Sequence, residues 1–288
     1  GSETIKYTNH SPDKLTYLWM QLDQNVRAED SDSKKARNSS INDMSFRQYK
    51  NMNTPFDGGF KLSKVQDAKG NNLDYTINKT MMRIDLDKAL APGQSISLRI
   101  EWMYNINDRM KIGGRSGMEY FKEEDNYLYT IAQFYPRMCV YNDVEGWQNK
   151  QFLGRGEFTL PFGDYTVSIT VPSDHIVGST GVLQNSNEIL TKEQRNRLEK
   201  AKNAAQPIVI VTQSEAEKAE KKKSKTSKTW IYKAENVRDF AFASSRKFIW
   251  DAKGVQFGDR TVLAMSYYPK EGNPLWGKYS TEAVVQTL

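Results

Sequence analysis

Residue types that bind catalytic zinc are scarce in this chain of 288 residues. Its only histidines, His10 and His175, stand far apart and are followed by Ser11 and Ile176. A catalytic zinc site needs several neutral histidine or carboxylate ligands at about 2.0–2.2 Å, commonly with two histidines one helical turn apart. Because no such pair occurs, the sequence predicts no zinc site in this chain.

Nucleophilic catalysis is not indicated either. Cys139 is the only cysteine, so it cannot form an internal disulfide. It stands between Met138 and Val140 in an apolar segment, which favours a packed small hydrophobic residue over a nucleophile. The sequence also lacks a G-x-S-x-G motif and a phosphate-binding glycine-rich loop. We therefore expect no catalysis by this chain alone.

Composition and charge restrict the partners. Hydrophobic residues make up 38% and aromatic residues 11% of the chain, as in ordinary soluble domains, and no apolar run approaches the roughly 20 residues that span a bilayer. Much of the net charge of +6 comes from KAEKKKSKTSK at residues 218–228. This segment has no aromatic residue for base stacking and follows a helix-like run, so it predicts a solvated helix end. The sequence thus favours neither a membrane span nor a nucleic-acid partner.

Alternating apolar and polar residues predict antiparallel β-structure. The clearest run extends from Ile96 to Tyr104, and shorter runs occur at residues 82–86 and 165–171. A period of two gives each strand one apolar and one polar face, which is typical of antiparallel sheets. Turn sequences such as APG at residues 91–93 separate these runs. The fold class is therefore mainly β.

Two short helical insertions are expected before the strand around Trp230. Each begins with a capping-box pattern, Thr191 with Gln194 in the first and Ser214 with Glu217 in the second. The β-branched run PIVIV at residues 207–211 predicts a short strand between them.

The last residues predict the beginning of another helix. Ser280 is a possible N-cap, and Val284, Val285 and Leu288 would share one apolar face. Nothing in the remaining sequence would cover this face.

Three stretches share a pattern with a known family. They are the corner QFYP at residues 133–136, the segment from Gly156-Glu157-Phe158 through GDY at 163–165 to HIVGSTGVLQN at 175–185, and TWIYKAENVRDFAFASS at 229–245. Together they resemble the N-terminal β domain of the gluzincin zinc aminopeptidases, the family of aminopeptidase N and leukotriene hydrolase.

The resemblance implies a large, antiparallel, saddle-like β-sheet or sandwich domain over residues 1–276. Residues 277–288 would then start a linker helix into a catalytic domain that is absent here. No cofactor is expected in this chain, because the parent's Zn²⁺ would be bound in that domain by HExxH and a further Glu. The implied partners are the catalytic domain and a peptide substrate. Export of the parent to the periplasm or the extracellular space is a further expectation.

The resemblance also points to substrate-binding residues. The family has a Gln-x-(Glu or Gln) pair at the corner, where it helps to bind the free N-terminus of a peptide, and this chain has Gln133 and Tyr135 there. A phenol cannot supply the charge of the family's carboxylate, so Tyr135 departs from the pattern. Packing of Tyr135 as a corner aromatic remains an equal alternative. The sequence Gly117-Met118-Glu119-Tyr120 resembles another family motif but precedes the corner, which favours a chance match.

Two other functions remain open. The chain could be a free-standing β-sandwich binding module, for carbohydrate or adhesion, with aromatic residues at alternate strand positions: Tyr17, Trp19, Trp230 and Tyr232. Core packing of these aromatics is the more expected outcome. The chain could also be a scaffold from a peptidase homologue that has lost its zinc site.

Overall fold

A computed structural model describes residues 1–34, 45–46, 54–154 and 159–288. The segment Gly156-Glu157-Phe158, part of the family resemblance, lies outside the described residues.

The strands, in chain order, are β1 (Ser2–Thr8), β2 (Leu15–Gln21), β3 (Lys61–Asp67), β4 (Tyr75–Asn78), β5 (Met81–Leu90), β6 (Ser95–Met103), β7 (Gly117–Phe121), β8 (Asn126–Ile131), β9 (Arg137–Met138), β10 (Tyr141–Asn142), β11 (Gly146–Trp147), β12 (Gly163–Pro172), β13 (Ile176–Ser179), β14 (Val182–Leu183), β15 (Ile208–Val211), β16 (Ser227–Val237), β17 (Phe242–Ser245), β18 (Ile249–Phe257) and β19 (Arg260–Tyr268). The α-helices are α1 (Ser186–Ile189), α2 (Lys192–Ala201), α3 (Gln213–Lys221) and α4 (Leu275–Thr287). Short 3-10 helices cover Asp23–Arg27, Asp32–Lys34 and Lys270–Gly272. The prediction of a mainly β, antiparallel fold is confirmed.

The chain forms two compact units. The first unit consists of Gly1–Gly117 and Ala132–Gly163, and the second consists of Met118–Ile131 and Asp164–Leu288. Backbone pairing explains the division, because each sheet draws almost all of its residues from one unit.

The first unit contains two main sheets, with strand orders β1-β6-β3 and β4-β5-β2-β9, and a small ribbon of β10 and β11. The predicted alternation is seen in β6, where Leu98, Ile100 and Trp102 are buried. In the second sheet, Leu18 on β2 pairs with Ile84 on β5, and both side chains are fully buried. The apolar faces of these strands thus form the core of the first unit.

The second unit contains three sheets, with strand orders β12-β16-β14, β13-β17-β8-β7 and β15-β18-β19. Its fully buried side chains include Trp230 on β16, Phe240 before β17 and Ile210 on β15. The predicted strand at residues 207–211 is confirmed as β15. Helix α4 contacts β18 and β19, and its Thr281 is buried and hydrogen-bonded to the Asp251 carboxylate.

The three predicted helix caps have different outcomes. The Thr191 capping box is confirmed, since the Thr191 hydroxyl accepts from the Gln194 amide and the Gln194 side chain accepts from the Thr191 amide. The predicted cap at Ser214 is wrong, because α3 begins two residues earlier with Thr212 and Glu215 as its capping box. Strand β15 ends at Val211. Thr212 is the first residue after the strand, and its extended backbone is the conformation that an N-cap residue takes.

The predicted cap at Ser280 is also wrong, since α4 begins at Leu275, directly after Pro274. Ser280 lies inside the helix. Helix formation therefore starts where proline already has a helix-compatible φ of −81°, rather than at the hydroxyl residue.

Candidate functional site

The corner between β8 and β9 contains Gln133 in a left-handed backbone conformation, with φ of 54°. A residue other than glycine pays on the order of 1 kcal/mol for this conformation. Such a conformation persists where contacts with the surrounding structure fix the backbone.

Side chains from three segments bind the corner backbone. The buried Gln24 amide donates to the carbonyl oxygens of Ala132, at 3.1 Å, and Gln133, at 2.9 Å. The Ser116 hydroxyl accepts from the Ala132 amide at 3.0 Å. The Trp102 indole donates to the Phe134 carbonyl oxygen at 2.9 Å. Three consecutive residues of the corner are thereby fixed by side-chain hydrogen bonds, because no sheet ladder is available to them.

A buried ion pair fixes the end of the corner, where β9 begins. Arg137 contacts the Asp23 carboxylate through Nε at 3.0 Å and Nη2 at 2.9 Å, and Nη2 also donates to the Gln21 side chain at 3.3 Å. Asp23 and Gln24 belong to the same 3-10 helix, Asp23–Arg27. Arg27 donates to the Gln24 side-chain oxygen at 3.1 Å, which fixes the orientation of that amide. This 3-10 helix therefore supports both ends of the corner.

The side chains of the two predicted substrate-binding residues differ in exposure. Gln133 is half-buried, and its side-chain amide makes no hydrogen bond to the part of the chain that the structure describes. Tyr135 is only 7% exposed and packs edge-on against Phe134, with ring centroids 4.9 Å apart. The geometry favours the packing alternative for Tyr135 and leaves Gln133 as the available polar side chain.

The Gly117-Met118-Glu119-Tyr120 sequence forms most of strand β7. Gly117 has φ of 140°, and a Cβ atom there would lie 2.4 Å from the Asn107 carbonyl oxygen. A backbone requirement therefore accounts for this glycine, in keeping with a chance match to the family motif.

Cys139 is 1% exposed, as predicted for a packed residue, and burial raises the pKa of its thiol well above the ordinary value.

His175 is 3% exposed, and its Nδ1 lies 2.9 Å from the Ser244 hydroxyl. Burial and the nearby Arg246 lower the pKa of His175 to about 4. Over the described residues, no cluster of His, Cys, Asp and Glu has the arrangement to hold a metal ion.

The proposed aromatic platform is largely core. Trp230 is 0% exposed and stacks on Tyr232, which is 4% exposed, with rings 6.4 Å apart. Tyr17 and Trp19 on β2 are half-buried, and the Arg83 guanidinium lies 4.0 Å from the centre of the Tyr17 ring. The expectation of core packing is thus confirmed for Trp230 and Tyr232.

The basic segment at residues 218–228 is mainly a solvated helix end, as predicted. Helix α3 ends within it, and most of its lysines are exposed. Two residues of the segment are less exposed than these lysines, since Glu220 is buried and Lys228 is half-buried.

Among the described residues, no helix has the length and apolar character needed to cross a membrane.

Sequence reasoning missed the polar residues that support the corner. Gln24, Asp23 and Arg137 are buried polar residues, and such residues need partners, but nothing in the local sequence marks them as buried. The only signal is the break in apolar alternation after Gln21, where β2 gives way to the 3-10 helix.

No protein-family model and no curated protein matches the chain. Among solved structures, the chain is similar to a mutant M1 zinc metallopeptidase from Deinococcus radiodurans bound to a Tyr-Ser-Ala substrate, with a TM-score of 0.48, 12% identity, and coverage of 99% of this chain and 48% of that one. It is also similar to the M1 zinc metallopeptidase from Deinococcus radiodurans, with a TM-score of 0.45, 12% identity, and coverage of 93% and 43%. The chain spans about half the length of these structures. Similarity at this level does not specify a function.

Proposed function

We propose that this chain is the non-catalytic N-terminal β domain of a zinc aminopeptidase, where it forms one wall of the substrate cleft. The sequence stretches that resemble the gluzincin family support this proposal. The structural observation that favours it most concerns Gln133. The buried Gln24 side chain bonds its carbonyl oxygen, and the Trp102 side chain bonds the next residue, while the Gln133 side-chain amide has no hydrogen bond among the described residues.

A fixed backbone with an available amide is suited to ligand binding. The Gln133 oxygen can accept a hydrogen bond from a peptide ammonium, and a bond to a charged group is worth roughly 1.5–3 kcal/mol. Because the corner is already ordered, little conformational entropy is lost on binding. In this proposal Gln133 contacts the N-terminus of the peptide, and Tyr135 supports the corner from within the core.

In this proposal the zinc ion is bound by the catalytic domain of the parent. No group of three or more His, Cys, Asp or Glu side chains among the described residues is placed to bind a metal ion. The first experiment is therefore to translate the coding sequence beyond Leu288. We expect two histidines one helical turn apart, with a glutamate between them and a further glutamate downstream. If the translated continuation lacks these ligands, the result would support the scaffold alternative.

The second experiment measures peptide hydrolysis by the complete protein. We expect Gln133→Ala to lower kcat/KM for peptides with a free N-terminus by about 10–100-fold, from the loss of one charge-assisted hydrogen bond. Hydrolysis of N-acetylated peptides should change much less, because they lack the ammonium group.

A matched control is Gln66→Ala on β3, which removes an amide that bonds the Asn72 side chain. This variant should retain wild-type kcat/KM. Equal activity of Gln133→Ala and Gln66→Ala towards free peptides would exclude the proposed role of Gln133.

The carbohydrate or adhesion module has less support. Trp230 and Tyr232 are buried, so they cannot offer a flat ring face to a sugar.

A further inference from the structure

The second unit contains a cavity of about 270 Å³ between helices α1 to α3 and strands β13 and β16. Its apolar lining includes Ile176, Val211 and Ala216, all of which are buried. Polar side chains also line it, among them Lys228, Asp174 and Arg246. An apolar cavity with a few convergent polar groups is the usual form of a small-molecule site.

The two acidic side chains in this lining already have cationic partners. Asp174 accepts from Arg246 at 3.0 and 3.3 Å, and it also accepts from the Ser224 amide at 2.7 Å. Glu215 pairs with Arg197 at 2.8 Å. Both carboxylates are therefore neutralised by groups of the protein.

Lys228 is different. It makes no ion pair with the residues that the structure describes. Its ammonium group makes a long contact of 3.4 Å with the Ile189 carbonyl oxygen and lies 4.9 Å from the centre of the Trp230 ring. Burial lowers the pKa of Lys228, with Asp174 as the opposing influence. A half-buried ammonium without a carboxylate partner is costly, and an anion entering the cavity would relieve that cost.

We propose that this cavity binds a small monocarboxylate with an apolar body, whose carboxylate pairs with Lys228 and whose hydrocarbon part contacts Ile176, Val211 and Ala216. The size is appropriate, since 270 Å³ is about nine times the ~30 Å³ that a water molecule occupies in the liquid. The number of non-hydrogen atoms in hexanoate is close to the number of water molecules that would fill this volume. This site does not depend on the proposed peptidase function and involves no residue of the Gln133 corner.

Hexanoate is the probe, and its binding to the chain is followed by two-dimensional amide NMR. We expect saturable shifts of residues around the cavity, with a Kd on the order of 1 mM. Hexanol, which has the same chain length but no charge, should bind at least about tenfold more weakly, as should hexanoate to Lys228→Met. Lys228→Arg keeps the charge and should retain binding.

Two further variants complete the design. Lys225→Met removes an exposed lysine of the same segment that does not line the cavity, and it should bind hexanoate like the wild type. Ala219→Leu places a larger side chain at the cavity wall and should prevent binding while leaving Lys228 in place. This variant and the hexanol comparison test the site even if Lys228→Met does not fold.

The proposal is overturned if hexanoate causes no saturable shifts, if hexanol binds as well as hexanoate, or if Ala219→Leu binds hexanoate with wild-type affinity. Failure of the Gln133 experiments would leave this proposal unaffected, because the two sites share no residues.

Discussion

At the residue scale, a buried titratable side chain makes the stability of the fold depend on pH. His175 illustrates this, because its ring lies among Ser244, Tyr129, Asp174 and Arg246 in the second unit. Its Nδ1 is within hydrogen-bonding distance of Ser244 Oγ. The histidine is therefore a core residue with a hydrogen-bond partner rather than a metal ligand.

The lowered pKa of His175 predicts a pH-dependent stability. Between the ordinary value of 6.5 and the folded value of about 4, the unfolded state binds a proton that the folded state does not. The free energy of unfolding should therefore fall as the pH decreases through this window, by up to about 3 kcal/mol from this residue. Urea unfolding at about pH 7 and about pH 5 measures the effect.

His175→Gln removes the titrating group while keeping an amide that can bond Ser244. It should have a smaller loss of stability between the two pH values than the wild type. The exposed His10→Gln is the control and should retain the full loss. An unchanged pH dependence in His175→Gln would show that other groups cause it.

At the element scale, local patterns predicted strands better than helix starts. The alternation from Ile96 to Tyr104 matches β6, because the burial of one face follows directly from a period of two. Capping patterns did not by themselves identify the residue at which a helix begins. Two overlapping patterns, Thr212 with Glu215 and Ser214 with Glu217, stand two residues apart, and the end of β15 decides between them.

The cap of α3 can be tested by a pair of substitutions. Thr212→Ala removes the hydroxyl that accepts from the Glu215 amide at 3.2 Å, and we expect a loss of about 1 kcal/mol in the free energy of unfolding. Ser214→Ala changes an exposed residue inside the helix and should have an effect of less than about 0.5 kcal/mol. Urea unfolding of both variants provides the comparison, and equal losses would argue against Thr212 as the cap.

At the scale of the whole molecule, a charge cluster around the buried Lys247 joins distant parts of the second unit. Lys247 is 0% exposed and pairs with Glu220 at 2.9 Å, Glu271 at 2.8 Å and Glu124 at 3.2 Å. Lys270 pairs with Glu124 and Glu220 as well. The cluster thus connects the β7–β8 turn, helix α3, the segment before β18 and the 3-10 helix Lys270–Gly272. Burial lowers the pKa of Lys247, but the three carboxylates outweigh this and raise it overall.

Removing the central cation should be strongly destabilising. Lys247→Met keeps most of the unbranched apolar part of the side chain but leaves the buried Glu220 with one cationic partner fewer, and we expect a loss of roughly 3–5 kcal/mol. Unfolding in urea, followed by tryptophan fluorescence, measures this loss.

The control is Lys223→Met, which breaks the exposed pair with Asp125 and should cost less than about 1 kcal/mol. If the two variants lose the same stability, the cluster does not stabilise the unit.

The sequence by itself determined the fold class, the strand β6, the strand β15, the capping box at Thr191 and the packed state of Cys139. These features depend on neighbours within a few residues, where side-chain periodicity and local hydrogen bonds act. The family resemblance made Gln133 and Tyr135 candidate substrate-binding residues, but it did not predict that their side chains differ in exposure.

Only the tertiary structure decided the rest. It determined that Tyr135 is packed, that Gln24 binds the Gln133 corner from 109 positions away, and that Lys247 lies among three carboxylates. It also determined the division into two units and the cavity beside Lys228. The physical reason is that a polar residue becomes buried, paired or unpaired through contacts between distant segments, and no local pattern records those contacts.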